Sequence, residues 1–127
     1  MLRKVVLGSF LMVSVLLAEI RAETDDKIVL GDLNAAVTII EFASLSCPHC
    51  AEFHKTRFPW LKENFIDTGE VKFIFRDFPL NRPALLGSMM AHCAEPAQFF
   101  AYLNFLFERQ EYWAFSAPVE TQLAKLG

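Results

Sequence analysis

Residues 36–58 read "AVTIIEFASLSCPHCAEFHKTRF", and their reading decides the fold. The first nine are rich in β-branched and aromatic residues over a strand-sized length. They are apolar at almost every position, which predicts a strand covered on both faces; Glu41 is the exception. From Cys47 the pattern turns helical, with Cys50, Phe53, Arg57, Trp60 or Leu61, and Phe65 at helical spacing and Gly69 as the stop. Pro59 inside that run predicts a kink or a restart, because a mid-helix proline removes a hydrogen bond and clashes with the preceding turn. "EVKFIFRDFPL", residues 70–80, then alternates, with Val71, Phe73 and Phe75 on one face and Pro79 closing a second strand. Strand, helix, strand is a βαβ unit, so the class is α/β with a sheet at least partly parallel.

Working outward, "KIVLGD" (27–32) reads as a short strand ending in a turn at Gly31, with Asp32 and Asn34 supplying turn chemistry. Downstream of Pro83 the pattern is helical. Leu85, Met89 and Cys93 share one face, with Leu86 and Met90 beside them. A second helix opens near Pro96, where Phe99, Leu103, Leu106, Gln110 and Trp113 recur at the same period. "SAPVETQLAKLG" (116–127) reads as a third, with Ser116 as candidate cap and Pro118 inside its start. His92 has no evident partner, and the apolar face around Cys93 favours core packing for that thiol, with a redox role as the alternative.

A chain of 127 residues with 54% hydrophobic content and 13 Phe is one domain with ample core material. The formal charge of -3 and the lack of any basic run exclude nucleic acid as a partner. At the N-terminus, Arg3 and Lys4 precede an apolar run from Val5 to Ala18, shorter than the ~20 residues a spanning helix needs. Residues 1–22 therefore read as a secretory signal peptide. Ala18 and Ala22 mark the cleavage site poorly, since Leu16 and Ile20 are bulky, so an uncleaved anchor is the alternative. Export places the cysteines where disulfides form and persist.

Cys47 and Cys50 flank Pro48 and His49 at the strand-to-helix junction. A metal site wants a second pair at ligand spacing, and only Cys93, His54 and His92 are at hand. Haem attachment wants His directly after the second Cys, where Ala51 stands. A structural staple over so short a loop removes little entropy from the unfolded chain. Redox chemistry remains, and it requires neither cofactor nor metal. At a helix start the Cys47 sulfur meets unpaired N–H groups and the positive end of the helix dipole, which stabilise a thiolate. Cys47 is then the nucleophile and Cys50, one turn in, the resolving thiol. His49 adds a positive charge or a donor, and Pro48 fixes the start of the helix. His54, one turn beyond Cys50, lines the site or lies on a solvated helix face.

The run "IIEFASLSCPHCAEFH", with "GDLNAAVTII" before it and "GEVKFIFRDFPL" after it, resembles the DsbA-like thiol-disulfide oxidoreductases of bacterial periplasms. These are thioredoxin-fold proteins with a helical insertion. The resemblance runs from about Val29 onward, and "LNFLFERQEYWAF" is similar to a helix of the insertion. It implies residues 23–82 as the thioredoxin-like βαβ part and residues 83–127 as the insertion. It also implies a periplasmic protein that passes a disulfide to newly exported, cysteine-containing proteins and is reset by a thiol-disulfide partner in the membrane. Glu41, six residues before Cys47, falls where this family carries a buried acid that takes or gives the resolving cysteine's proton; burial of a lone carboxylate is otherwise costly. The pattern departs from the family after Trp113. The strand led by a cis-proline, the hairpin strand and the last helix have no counterpart, so the expected thioredoxin-like fold is incomplete and the strand holding Glu41 has one open edge. Two readings follow: an exported dithiol oxidase, or an inactive fragment that at most binds partners.

Overall fold

The computed structural model describes residues 28–126; the signal peptide expected over residues 1–22 lies outside them. Strand β1 is Val29–Leu30, β2 is Val37–Ala43 and β3 is Val71–Asp77. The sheet order is β1-β3-β2. Strand β3 pairs antiparallel with β1 through Val29↔Ile74 and Leu30↔Phe73. It pairs parallel with β2 from Val37↔Val71 to Ala43↔Asp77. The βαβ reading therefore holds, and among the described residues β2 is an edge.

Side chains alternate across the pleat, so Val71, Phe73 and Phe75 enter the core from one face of β3, and Ile39, Glu41 and Ala43 of β2 stand on the same side. The expectation of a strand covered on both faces needs correcting. Ile40 is 50% exposed and Phe42 67% exposed, because only one face of β2 is packed by helices among the described residues. Apolar residues in a continuous run reported burial on two sides, and the pleat resolves them into one buried and one open row.

Helix α1, Pro48–Thr56, ends at Arg57, and α2, Phe58–Leu61, begins with Pro59 in its first turn. The helix restarts there because a proline costs nothing where the N–H has no intrahelical partner. A π-helical turn over Lys62–Ile66 follows. Gly69, at φ +84°, ends the segment, with its N–H donating to Ile66 and that of Glu70 to Phe65.

Helix α3 is Arg82–His92, and the Asn81 side-chain oxygen caps it by accepting from the Ala84 N–H at 3.0 Å. Its buried face is Ala84, Gly87, Ser88 and Ala91, while Leu85, Met89 and Cys93 are exposed. This corrects the face predicted from the large apolar residues and the packing assigned to Cys93. The small residues face inward because Trp113 fills the space against them: a Cβ on Gly87 would lie 2.6 Å from the indole. A 3₁₀ turn at Pro96–Gln98 leads to α4, Phe99–Glu108, followed by α5, Gln110–Trp113. Phe99, Leu103, Leu106, Gln110 and Trp113 are all buried, as their period predicts. Helix α6, Val119–Ala124, starts after Pro118 with no side-chain cap, so Ser116 does not serve as one; the Ala117–Pro118 peptide is cis. The core lies between the β3 face and α1, α2 and α4, with Phe75 edge-on to Phe107 and tilted against Phe99.

Candidate active site

Strand β2 ends at Ala43, and the chain turns through Ser44–Leu45–Ser46, all buried. The Cys47 N–H donates to the Ser44 carbonyl at 2.9 Å. The Ser46 hydroxyl donates to Asn81 Oδ1 at 3.0 Å, the same atom that caps α3. The turn delivers Cys47 in extended conformation to the N-cap of α1 with Pro48 behind it, and the Cys47 carbonyl accepts the first helical bond from Ala51 at 3.1 Å. The strand-to-helix junction and the place of Pro48 at the start of α1 are as expected.

Cys47 and Cys50 are both free thiols, partly buried. Burial pushes the Cys47 thiol up, but the Cys50 N–H, the Cys50 thiol and the His49 N–H outweigh it and bring Cys47 below its ordinary value. Cys50 moves the other way, to about 11, through burial, its hydrogen bond to the Cys47 sulfur, and the charges of Cys47 and Glu41, against a backbone bond at Ser44. Opposite shifts in neighbouring thiols separate an attacking group from one that keeps its proton. The His49 imidazole is exposed, and this residue bears on Cys47 through its backbone N–H, a route different from the side-chain charge or donor expected.

Glu41 is half-buried on the helix-covered face, and its Oε2 lies 2.8 Å from His54 Nε2. His54 Nδ1 lies 2.8 Å from Asn104 Oδ1 on α4. The His54 side chain is 1% exposed, which rules out the solvated helix face. Its ring stacks on Phe107 at 4.2 Å and lies against Phe58 at 4.8 Å. Sequence reasoning also missed Gln110, whose buried amide donates to the carbonyls of Leu45 at 2.8 Å and Cys47 at 2.9 Å. A polar residue in step with Phe99, Leu103, Leu106 and Trp113 was the available signal. His92 does have a partner, Asp77 Oδ2 at 2.6 Å. Among the described residues, no three His, Cys, Asp or Glu side chains converge as metal ligands.

Residues 23–126 match the sequence profile of the thioredoxin family. The chain belongs to the thioredoxin family. Within the thioredoxins its relatives are those anticipated from the cysteine motif. It is 33% identical over 104 residues to a protein of Rickettsia prowazekii that carries the name protein-disulfide oxidoreductase, covering 81% of this chain and 38% of that one. Among solved structures it is similar to alpha-DsbA1 of Wolbachia pipientis, at 36% identity and a TM-score of 0.71, covering 77% of this chain and 50% of that one. BdbD of Bacillus subtilis, solved oxidised, follows at 35% identity and a TM-score of 0.59, with 65% and 46% covered. The DsbA-like character read from the sequence therefore stands, as does the mixed α/β thioredoxin-like fold. The chain spans about two fifths of the length of the curated relatives it matches and about half that of the solved chains.

Proposed function

We propose that this chain carries the redox centre of an exported thiol-disulfide oxidoreductase. The observation that carries the reading is the divergence of two thiols one helical turn apart: Cys47 is held below the ordinary thiol value and Cys50 is raised to about 11. In the oxidising direction a substrate thiolate attacks the Cys47 sulfur of the Cys47–Cys50 disulfide. The S–S bond breaks, and Cys50 leaves as a thiolate and takes up a proton. A second substrate thiolate then attacks the substrate sulfur of the mixed disulfide and expels Cys47. The substrate loses two electrons and gains a disulfide, and the dithiol gains both electrons. Because Cys47 leaves as a stabilised thiolate, the reduced form is favoured and the disulfide is a strong oxidant; DsbA itself is a known case of such a thiol.

Pro48 sets the first turn of α1, His49 contributes its N–H to Cys47, and Glu41 exchanges the proton of Cys50, whose titration its charge already shifts. Substrates are newly exported proteins with reduced cysteines, the compartment is the periplasm, and a membrane thiol-disulfide partner reoxidises the pair.

The test is equilibration of the chain with glutathione and its disulfide, followed by acid quench and thiol counting. A two-electron transition confined to Cys47 and Cys50, together with oxidation of a reduced two-cysteine peptide, is expected. Separate glutathionylation of each thiol without a Cys47–Cys50 disulfide, and with no peptide oxidation, overturns the reading.

A further inference from the structure

The hydrogen bonds around His54 constrain where its protons lie. Asn104 Oδ1 accepts only, so His54 Nδ1 donates to it. The opposite nitrogen, Nε2, is thereby aimed at Glu41 Oε2 at 2.8 Å. Two lone pairs at that distance repel, so a proton lies between them; borne on Nε2, it leaves Glu41 as the carboxylate that can accept a proton at its other oxygen. The ring cannot turn away, because Phe107 stacks on it, Phe58 lies against it, and Phe53 and Phe75 meet it edge-on. Burial alone calls for partners at both ring nitrogens; what sets His54 apart is that one of those partners is Glu41.

Resting on the dithiol reading above, we propose that His54, oriented by Asn104, is a positioning residue that fixes Glu41, occupying Oε2 so that Oε1 is the oxygen that exchanges a proton with Cys50. Resolution of a mixed disulfide then runs with balanced atoms: the Cys50 proton passes to Glu41 and the Cys50 sulfur attacks Cys47. The Cys47–substrate bond breaks, and the substrate thiolate leaves. The groups packed against His54 are Asn104 and Phe107 on α4, Phe53 on α1, Phe58 on α2 and Phe75 on β3, none of which titrates, and the charge of Glu41 reaches the Cys50 thiol. Asn104 belongs to the helical layer downstream of the βαβ unit, so that layer reaches the proton path directly.

The test uses the full reduced chain, glutathione disulfide as probe, acid quench and mass spectrometry to follow the Cys47–glutathione mixed disulfide. His54→Phe keeps an aromatic ring in the Phe107–Phe58 clamp. It is expected to lengthen the mixed-disulfide lifetime about tenfold or more at neutral pH, in line with the usual weight of a positioned acid–base group. Resolution should become proportional to hydroxide, as for an unassisted thiol, while formation of the mixed disulfide changes less than about twofold because it depends on Cys47. In a Glu41→Gln background His54→Phe should have no further effect, since His54 acts through Glu41. An unchanged lifetime and pH profile in folded His54→Phe overturns the proposal, as does a full His54 effect in the Glu41→Gln background. Should His54→Phe fail to unfold cooperatively, Asn104→Leu decides by the same readout, with a smaller lengthening expected and an unchanged lifetime overturning. Failure of the parent chain to form any mixed disulfide would remove the dithiol reading and this inference with it, a result distinct from a parent that exchanges and a variant that matches it.

Discussion

The side-chain amide of Gln110 donates to the Cys47 carbonyl at 2.9 Å while also holding that of Leu45 at 2.8 Å. A residue of the helical layer thus braces the turn that presents Cys47. Cys47 has a second donor in Ala51, so the carbonyl dependent on Gln110 is that of Leu45, in a fully buried residue. Gln110→Leu keeps the volume and strands that oxygen, which is expected to cost about 1–3 kcal/mol. Urea unfolding of the oxidised chain measures it, and a loss below about 0.5 kcal/mol would mean the turn does not depend on Gln110.

Alkylation should distinguish the two thiols sharply. With Cys47 below its ordinary value and Cys50 at about 11, iodoacetamide at neutral pH is expected to modify Cys47 and spare Cys50, the exposed Cys93 being mapped separately. Its rate should level off below the pH at which a free cysteine does. Peptide mapping after a short pulse reads this directly, and equal labelling at both positions contradicts the assigned shifts.

The same shifts make the stability of the reduced chain depend on pH with a definite sign. Cys47 is depressed in the folded chain, so its contribution is present above the ordinary thiol value of 9.0 and is lost as pH falls through its folded value. Cys50 is raised, so its contribution is intact below 9.0 and is lost as pH rises toward about 11. The oxidised chain titrates neither. Reduced stability measured against oxidised stability should climb with pH toward 9.0 and then fall toward about 11. A flat difference across that range in paired urea titrations would contradict both shifts.

Gly87 admits no side chain without movement of Trp113, whose indole would lie 2.6 Å from a Cβ there. Trp113 is fully buried and its Nε1 donates to the Leu106 carbonyl at 2.9 Å, so it cannot yield freely. Gly87→Val is expected to cost about 1–3 kcal/mol by overpacking and to alter the near-UV circular dichroism of the indole. A neutral effect on both would place α3 farther from Trp113 than described.

The open row of β2 supplies a fifth prediction. Ile40 and Phe42 are half or more exposed on a strand that is an edge among the described residues, an arrangement that favours association through strand edges. In sedimentation velocity the chain is expected to self-associate with rising concentration. Phe42→Lys should suppress this while shifting the unfolding free energy by less than about 0.5 kcal/mol, as for other exposed substitutions. Association insensitive to Phe42 points to another surface.

Much of this was legible from local pattern. The alternation in Val71, Phe73 and Phe75, the helical spacing after Cys47 and the restart at Pro59 are short-range properties, and each element formed as read. What escaped depends on which neighbour arrives from elsewhere. Residue size placed Leu85 and Met89 inside, but Trp113 takes that volume and leaves room only for Ala84, Gly87, Ser88 and Ala91. His54 was ambiguous because its partners Glu41 and Asn104 lie 13 and 50 positions away. The motif identified the pair of cysteines; the chain of contacts that serves it is a property of packing.

Asn81 Oδ1 accepts from both the Ser46 hydroxyl and the Ala84 N–H. One oxygen atom is therefore the joint between the cysteine-bearing turn and the first helix beyond the sheet. A displacement of α3 therefore strains a hydrogen bond held by the residue next to Cys47.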